Sequence, residues 1–140
     1  MKKGLLLACS IWGGLMVPTV QAQQPGRNID QQLLSCKNKA VSTLDSQDCY
    51  SMAATAWDHE LNAQYQALMQ GQSDAFKTQL RTSQRAWIKY KDSYYEAMNA
   101  FYQQQQGTIW TLVAAEQKLN VIRDKALDLW RLRQSTDLAG

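Results

Sequence analysis

His59 is the only imidazole in the chain and stands between Asp58 and Glu60, so any histidine-based acid or base would have to use this one residue. Its spacing places it opposite Trp57 and Leu61 on a helix, where it reads as an exposed, solvated side chain. Carboxylate pairs that could cut a glycan are Asp58 with Glu60 and Asp92 with Glu96, but neighbours on one helix do not converge from two sides of a bond. No serine has the glycine context of a nucleophile elbow, and no glycine-rich loop could cradle a phosphate. The chemistry that these residue types allow is therefore binding rather than turnover, with no cofactor.

Two further sets could bind. Lys77, Arg81, Arg85 and Lys89 recur every four residues and form a basic row that could meet anionic head groups, although Asp74, Asp92 and Glu96 offset it and the row equally suits the wet side of a helix. Trp57, Trp87 and Trp130 fall on apolar stripes and belong to a core. Trp110 points off its stripe and is expected as an exposed contact residue.

The amino terminus sets the compartment. Lys2 and Lys3 precede an apolar run from Leu5 to Val17 and then Val20-Gln21-Ala22, the pattern of a cleavable secretory signal over residues 1–22. The run falls short of the roughly 20 residues needed to span a bilayer. Leu6-Leu7-Ala8-Cys9 resembles a lipoprotein site, but a cut there leaves almost no hydrophobic region ahead of it. Of 140 residues, removal of the first 22 leaves 118, enough for a single domain over 23–140 with a core of about 29–133. The formal charge of +3 loses Lys2 and Lys3 and falls to +1, which gives no electrostatic footprint for nucleic acid.

Loss of Cys9 leaves Cys36 and Cys49 as a pair in a chain bound for an oxidising compartment, where they should form a disulfide. The alternative, a two-thiolate metal site, lacks soft ligands beyond His59.

Hydrophobic spacing supplies the elements that position all of this. Ile29, Leu33, Cys36, Ala40 and Leu44 predict a first helix over 29–44, after a disordered lead from Gln23 to Arg27 and before a turn at Leu44 to Asp48. Tyr50, Ala54, Trp57, Leu61, Tyr65 and Leu68 predict a second from Asp48 to Gln70. Gly71 and Ser73 mark a tight turn, which should leave the second and third helices as antiparallel neighbours. The third runs from Ser73 with Phe76, Leu80, Ser83, Trp87, Tyr94, Met98 and Phe101 on one face, and the tract Gln103 to Gly107 should release it into a loop. The fourth follows Thr108 with Leu112, Glu116, Leu119, Arg123, Leu127 and Trp130. Arg123 on that stripe requires a facing carboxylate, with Asp58 and Asp92 as candidates, or else extends its head into water. The fold class is all-α, an antiparallel bundle of three to four helices with one long central helix and one disulfide.

Ala56-Trp57-Asp58-His59-Glu60-Leu61-Asn62-Ala63-Gln64-Tyr65, followed by Gln84-Arg85-Ala86-Trp87-Ile88-Lys89-Tyr90-Lys91-Asp92, resembles the LprI-like family of bacterial secreted domains. Asp58, Leu61, Asn62, Tyr65, Gln84, Trp87, Tyr90 and Asp92 match the family pattern, with Lys91 where arginine is usual and Arg123 similar to the arginine of the final segment. Cys36 and Cys49 resemble the leading cysteine pair. A second pair that family members often carry is absent. The resemblance covers about Cys36 to Leu129. It implies a helical periplasmic or secreted protein, with lysozyme inhibition attributed to a named member, so a non-enzymatic binder of a lysozyme or another envelope protein is expected; the alternative, from the Lys77 to Lys89 face or exposed helix ends, is an envelope-associated structural or accessory module. It also implies that the shared residues build an interhelical polar and aromatic network.

Overall fold

Ser42 starts the longest uninterrupted stretch of helix before Gly71. Its side chain accepts from the amide of Asp45 at 3.0 Å, while Asp45 Oδ2 accepts from the amide of Val41 at 3.1 Å. This reciprocal cap satisfies two amides that a helix start leaves unpaired. The computed structural model, which describes residues 23–137, accordingly divides the chain into α1 (Arg27–Lys39), α2 (Thr43–Met69), α3 (Asp74–Gln103) and α4 (Ile109–Gln134), with no strand among the described residues. The predicted secretory signal over residues 1–22 lies outside them.

The break between the first two helices falls at residues 40–42, earlier than the turn expected at Leu44 to Asp48. The cap explains the difference, because Ser42-Thr43-Leu44-Asp45 supplies both halves of a helix start and leaves Leu44 inside α2. The lead is also shorter than expected. Gly26 is buried with φ 78°, and a Cβ there would collide with the Trp57 ring, so this backbone lies flat on the indole in a conformation that glycine adopts most readily. The disulfide Cys36–Cys49 ties α1 to α2. Ser73 caps α3 as expected, accepting from the amide of Phe76 at 3.2 Å.

α2 and α4 form the closest-packed pair. Tyr50 pairs with Glu116 and Gln64 with Arg133, so the two helices run parallel. α1 returns antiparallel along α2, and α3 returns antiparallel along α4. Thus the tight turn at Gly71 does not set α3 along α2; the backbone of α3 packs on α4 instead. Trp57, Leu61 and Leu129 are the large side chains fully withdrawn from water, with Leu119 and Ala126 between them.

α4 buries Leu119, Ala126, Leu127 and Leu129, with Ala115 and Ile122 packed beside them, whereas the expected stripe members Glu116 and Trp130 lie at its margin. Small residues here let α2 and α4 approach closely. On α3 the difference is larger. Leu80 and Met98 are buried and Phe76 and Trp87 pack on the core, but Tyr94 is 42 % and Phe101 59 % exposed. In the C-terminal half of the expected core face Tyr94 and Phe101 therefore project into solvent while Met98 stays covered, because only α4 supports α3 there.

Candidate functional site

Because α2 and α3 both rest on α4 without covering one another, a groove runs between them. α2 contributes Gln47, Tyr50, Ser51 and Ala54; α3 contributes Tyr95, Asn99 and Tyr102; and the floor comes from Ala114, Ala115, Leu119 and Ile122 of α4. The cavity measures about 570 Å³, within the range of pockets that hold a small ligand or a protruding side-chain cluster. No Asp, Glu or His lines it, and Lys118 is its charged residue.

The walls are held rigidly. Tyr50 receives a hydrogen bond from Lys37 Nζ at 2.7 Å and donates to Glu116 Oε2 at 3.3 Å. The first of these contacts holds the Lys37 ammonium above its usual pKa. Tyr95 donates its hydroxyl proton to the Lys118 carbonyl at 2.7 Å, and its ring lies 5.0 Å from Lys91 Nζ and 5.6 Å from Lys118 Nζ. Lys118 also donates to Asn99 Oδ1 at 2.6 Å. Tyr102 stacks on Trp110 with ring centres 6.1 Å apart. Trp110, expected as an exposed contact residue, is half-buried at the groove end with its indole N–H given to the Gln106 carbonyl at 3.0 Å. Two aromatic walls, amide groups and one ammonium make a recess that can grip an apolar group and hydrogen-bond its polar edge.

The motif residues divide into those brought together here and those placed elsewhere. Burial pushes the Tyr95 phenol up to about 12, and the charges of Asp92 and Asp58 add to the shift. Lys91 pairs with the motif carboxylate Asp92 at 2.7 Å. Asn62 reaches Asp58 only at 3.5 Å, and both are exposed. Leu61 is core, and Tyr65 and Trp87 pack against the core. Gln84 keeps a buried Oε1 with no hydrogen-bond partner among the described residues. Tyr90 points away from the groove and stacks on Tyr94, with ring centres 5.6 Å apart.

Arg123 meets a carboxylate, but neither of the expected ones. Its Nη2 lies 2.7 Å from Asp30 Oδ2 and its Nε donates to both oxygens of Asp30. The same guanidinium sits 5.3 Å from the Trp57 ring, whose Nε1 donates to Asp30 Oδ1. Asp58 and Asp92 are exposed, and Asp30 on α1 is the carboxylate that faces the stripe. Spacing gave no access to this pairing, which joins the first helix to the last.

His59, Asp58 and Glu60 do not converge as a catalytic set: Glu60 accepts from Gln64 Nε2 at 2.7 Å and His59 is exposed. Among the described residues, no group of three or more His, Cys, Asp or Glu could hold a metal, and no helix is long and apolar enough to cross a membrane. Tyr50, Tyr95, Lys118 and Asp30 are the contributors that the sequence left unmarked. Tyr95 had a signal, since it stands a turn beyond Lys91 on the motif side of α3.

Four helices tied by one disulfide, with an aromatic groove that no acidic residue lines, define an all-helical module. The chain belongs to the lysozyme inhibitor LprI family, whose model matches residues 36–129 and whose members are located outside the cytoplasm. A crystal structure of an uncharacterized protein from Burkholderia thailandensis is similar, with a TM-score of 0.71 and 25 % identity over 80 % of this chain. The chain spans 56 % of the length of that protein. No curated protein matches the chain.

Proposed function

We propose that the chain is an exported, non-catalytic inhibitor of a lysozyme that grips the enzyme through the groove between α2 and α3. The observation that carries this reading is coincidence in sequence: every groove residue, from Gln47 to Ile122, falls inside the span 36–129 matched by the family. Tyr50, Tyr95, Tyr102 and Trp110 supply large, rigid contact area at low entropic cost. A mature charge of +1 offers no long-range attraction to a basic enzyme, so affinity would come from the desolvated centre of the contact. On this reading the signal is cut after Ala22 and the mature chain begins at Gln23.

The test is lysozyme turnover with and without the mature, oxidised protein. Inhibition should appear at micromolar concentration, and Trp110→Ala or Tyr102→Ala should weaken it by about tenfold or more, the loss typical of a central aromatic anchor. No inhibition by the folded parent ends the inhibitor reading. Inhibition untouched by either variant moves it away from the groove.

A second reading, an envelope-associated module that acts by assembly, is favoured by the aromatic residues that α3 exposes on its other side.

A further inference from the structure

Phe76, Leu80, Ser83 and Trp87 continue into Tyr90, Tyr94, Ala97 and Phe101 with alternating steps of four and three. An uninterrupted repeat of this kind is the seam by which one helix lies along another. The first half of the seam is used within the chain, since Leu80 is buried and Phe76 and Trp87 pack on the core. Its second half is not, because Tyr90 is 57 % and Phe101 59 % exposed. Beside Tyr94 and Phe101 the surface is also indented, by a recess of about 390 Å³ between α3 and α4.

We infer that the partner for this half-seam is α3 of a second copy of the chain, antiparallel to the first about a two-fold axis near Asp92. In that register Tyr90 faces the partner's Tyr94, and Tyr94 faces the partner's Tyr90. Phe101 lies over the partner's exposed Ser83, and the half-exposed outer edge of Trp87 over the partner's Ala97, so these two bulky groups each meet a small one. On the flank towards the second copy, Ala86, Ser93 and Ala100 recur every seven residues. Their small side chains permit close backbone approach. Outside them Lys89 of each copy comes opposite Glu96 of the other, twice over, and neither residue is paired within the chain among the described residues. A parallel arrangement would set Lys89 against Lys89 and Glu96 against Glu96, which like charges oppose. An isologous contact of this kind closes at two copies and leaves the groove between α2 and α3 open.

From Ser83 to Phe101 the contact is roughly 27 Å long at 1.5 Å per residue. A single helix face of that length lies at the small end of specific interfaces, so the dimer should be weak and form in the micromolar range.

Sedimentation equilibrium of the mature, oxidised protein over a range of micromolar concentrations tests this. The average mass should rise from one chain towards two. Tyr94→Glu, a change at an exposed position, should hold the protein at one chain while its helical circular dichroism and melting temperature stay those of the parent. Lys89→Glu and Glu96→Lys should each weaken association at least tenfold at low salt, and the double exchange should restore it. A parent that stays monomeric throughout overturns the inference, as does a dimer indifferent to Tyr94→Glu. Failure of the double exchange to restore association overturns the antiparallel register. Inhibition of lysozyme is read separately, with the groove variants.

Discussion

Asp30 and Arg123, 93 residues apart, form a forked ion pair against the face of the most deeply buried tryptophan. The pair joins α1 to α4, and Trp57 adds its own N–H to the same carboxylate. Two cationic donors and an indole N–H therefore converge on Asp30, and the hydrogen bond to Asp30 raises the Arg123 pKa further above its already high value.

Asp30→Asn keeps the shape and removes the charge. The side chains remain 39 % and 30 % exposed, so water screens the pair and the loss should be about 1–2 kcal/mol rather than the larger figure for a fully buried pair. Urea unfolding should show it as a lower midpoint at constant slope. A variant indistinguishable from the parent would mean that the fork contributes nothing beyond packing.

Reduction of Cys36–Cys49 opens a loop spanning 13 residues. The chain-entropy argument assigns such a loop about 3 kcal/mol. Cys36→Ser with Cys49→Ser should therefore melt well below the oxidised parent, and reductant should shift the parent to match the variant. Equal melting of the two forms would sink the claim.

Gly26→Ala places a methyl group into the Trp57 ring at a positive φ. Both the collision and the backbone strain should cost stability, together on the order of 2–3 kcal/mol. Gly71→Ala, at φ 68° with nothing near its Cβ, carries the strain alone and should cost less, on the order of 1 kcal/mol. Equal losses at the two positions would show that the lid over Trp57 yields freely.

Tyr95 gives the pH dependence. Its pKa is raised in the folded chain from the ordinary 10.0 to about 12, so between these values the folded state keeps a proton that the unfolded state has lost. The associated stability is complete below pH 10 and declines as pH climbs towards 12. Absorbance titration should reveal one tyrosine that ionises near pH 12, and Tyr95→Phe should remove that step. If every tyrosine of Tyr95→Phe and parent titrates identically, the assignment is wrong.

Local signals were legible in the sequence, and relationships between distant helices were not. Ser73 announced the start of α3, and the oxidised pair followed from counting cysteines. Ser42 and Asp45 also spelled a helix start, but the apolar spacing through Ala40 and Leu44 outweighed it and displaced the first boundary. On α4, the large residues Leu112 and Trp130 drew attention from the alanines that let α2 come near. The stripe offered a facing acid for Arg123 as one of two readings, yet choosing Asp30 over Asp58 or Asp92 requires knowing which helix lies opposite. The same applies to the groove, whose walls come from α2 and α3 and whose floor is α4, so that its lining depends on which helix lies beneath both.

The parallel placement of α2 and α4 sets the order in which this chain can fold. Tyr50 with Glu116, Gln64 with Arg133 and Asp30 with Arg123 link positions 66, 69 and 93 residues apart, which is long-range closure for an all-helical chain and slows folding relative to a simple up-and-down hairpin array. A chain delivered amino end first must therefore hold Trp57 and Leu61 without their cover until the final helix arrives, and a truncation ahead of Ile109 would leave those side chains permanently open to water and to aggregation.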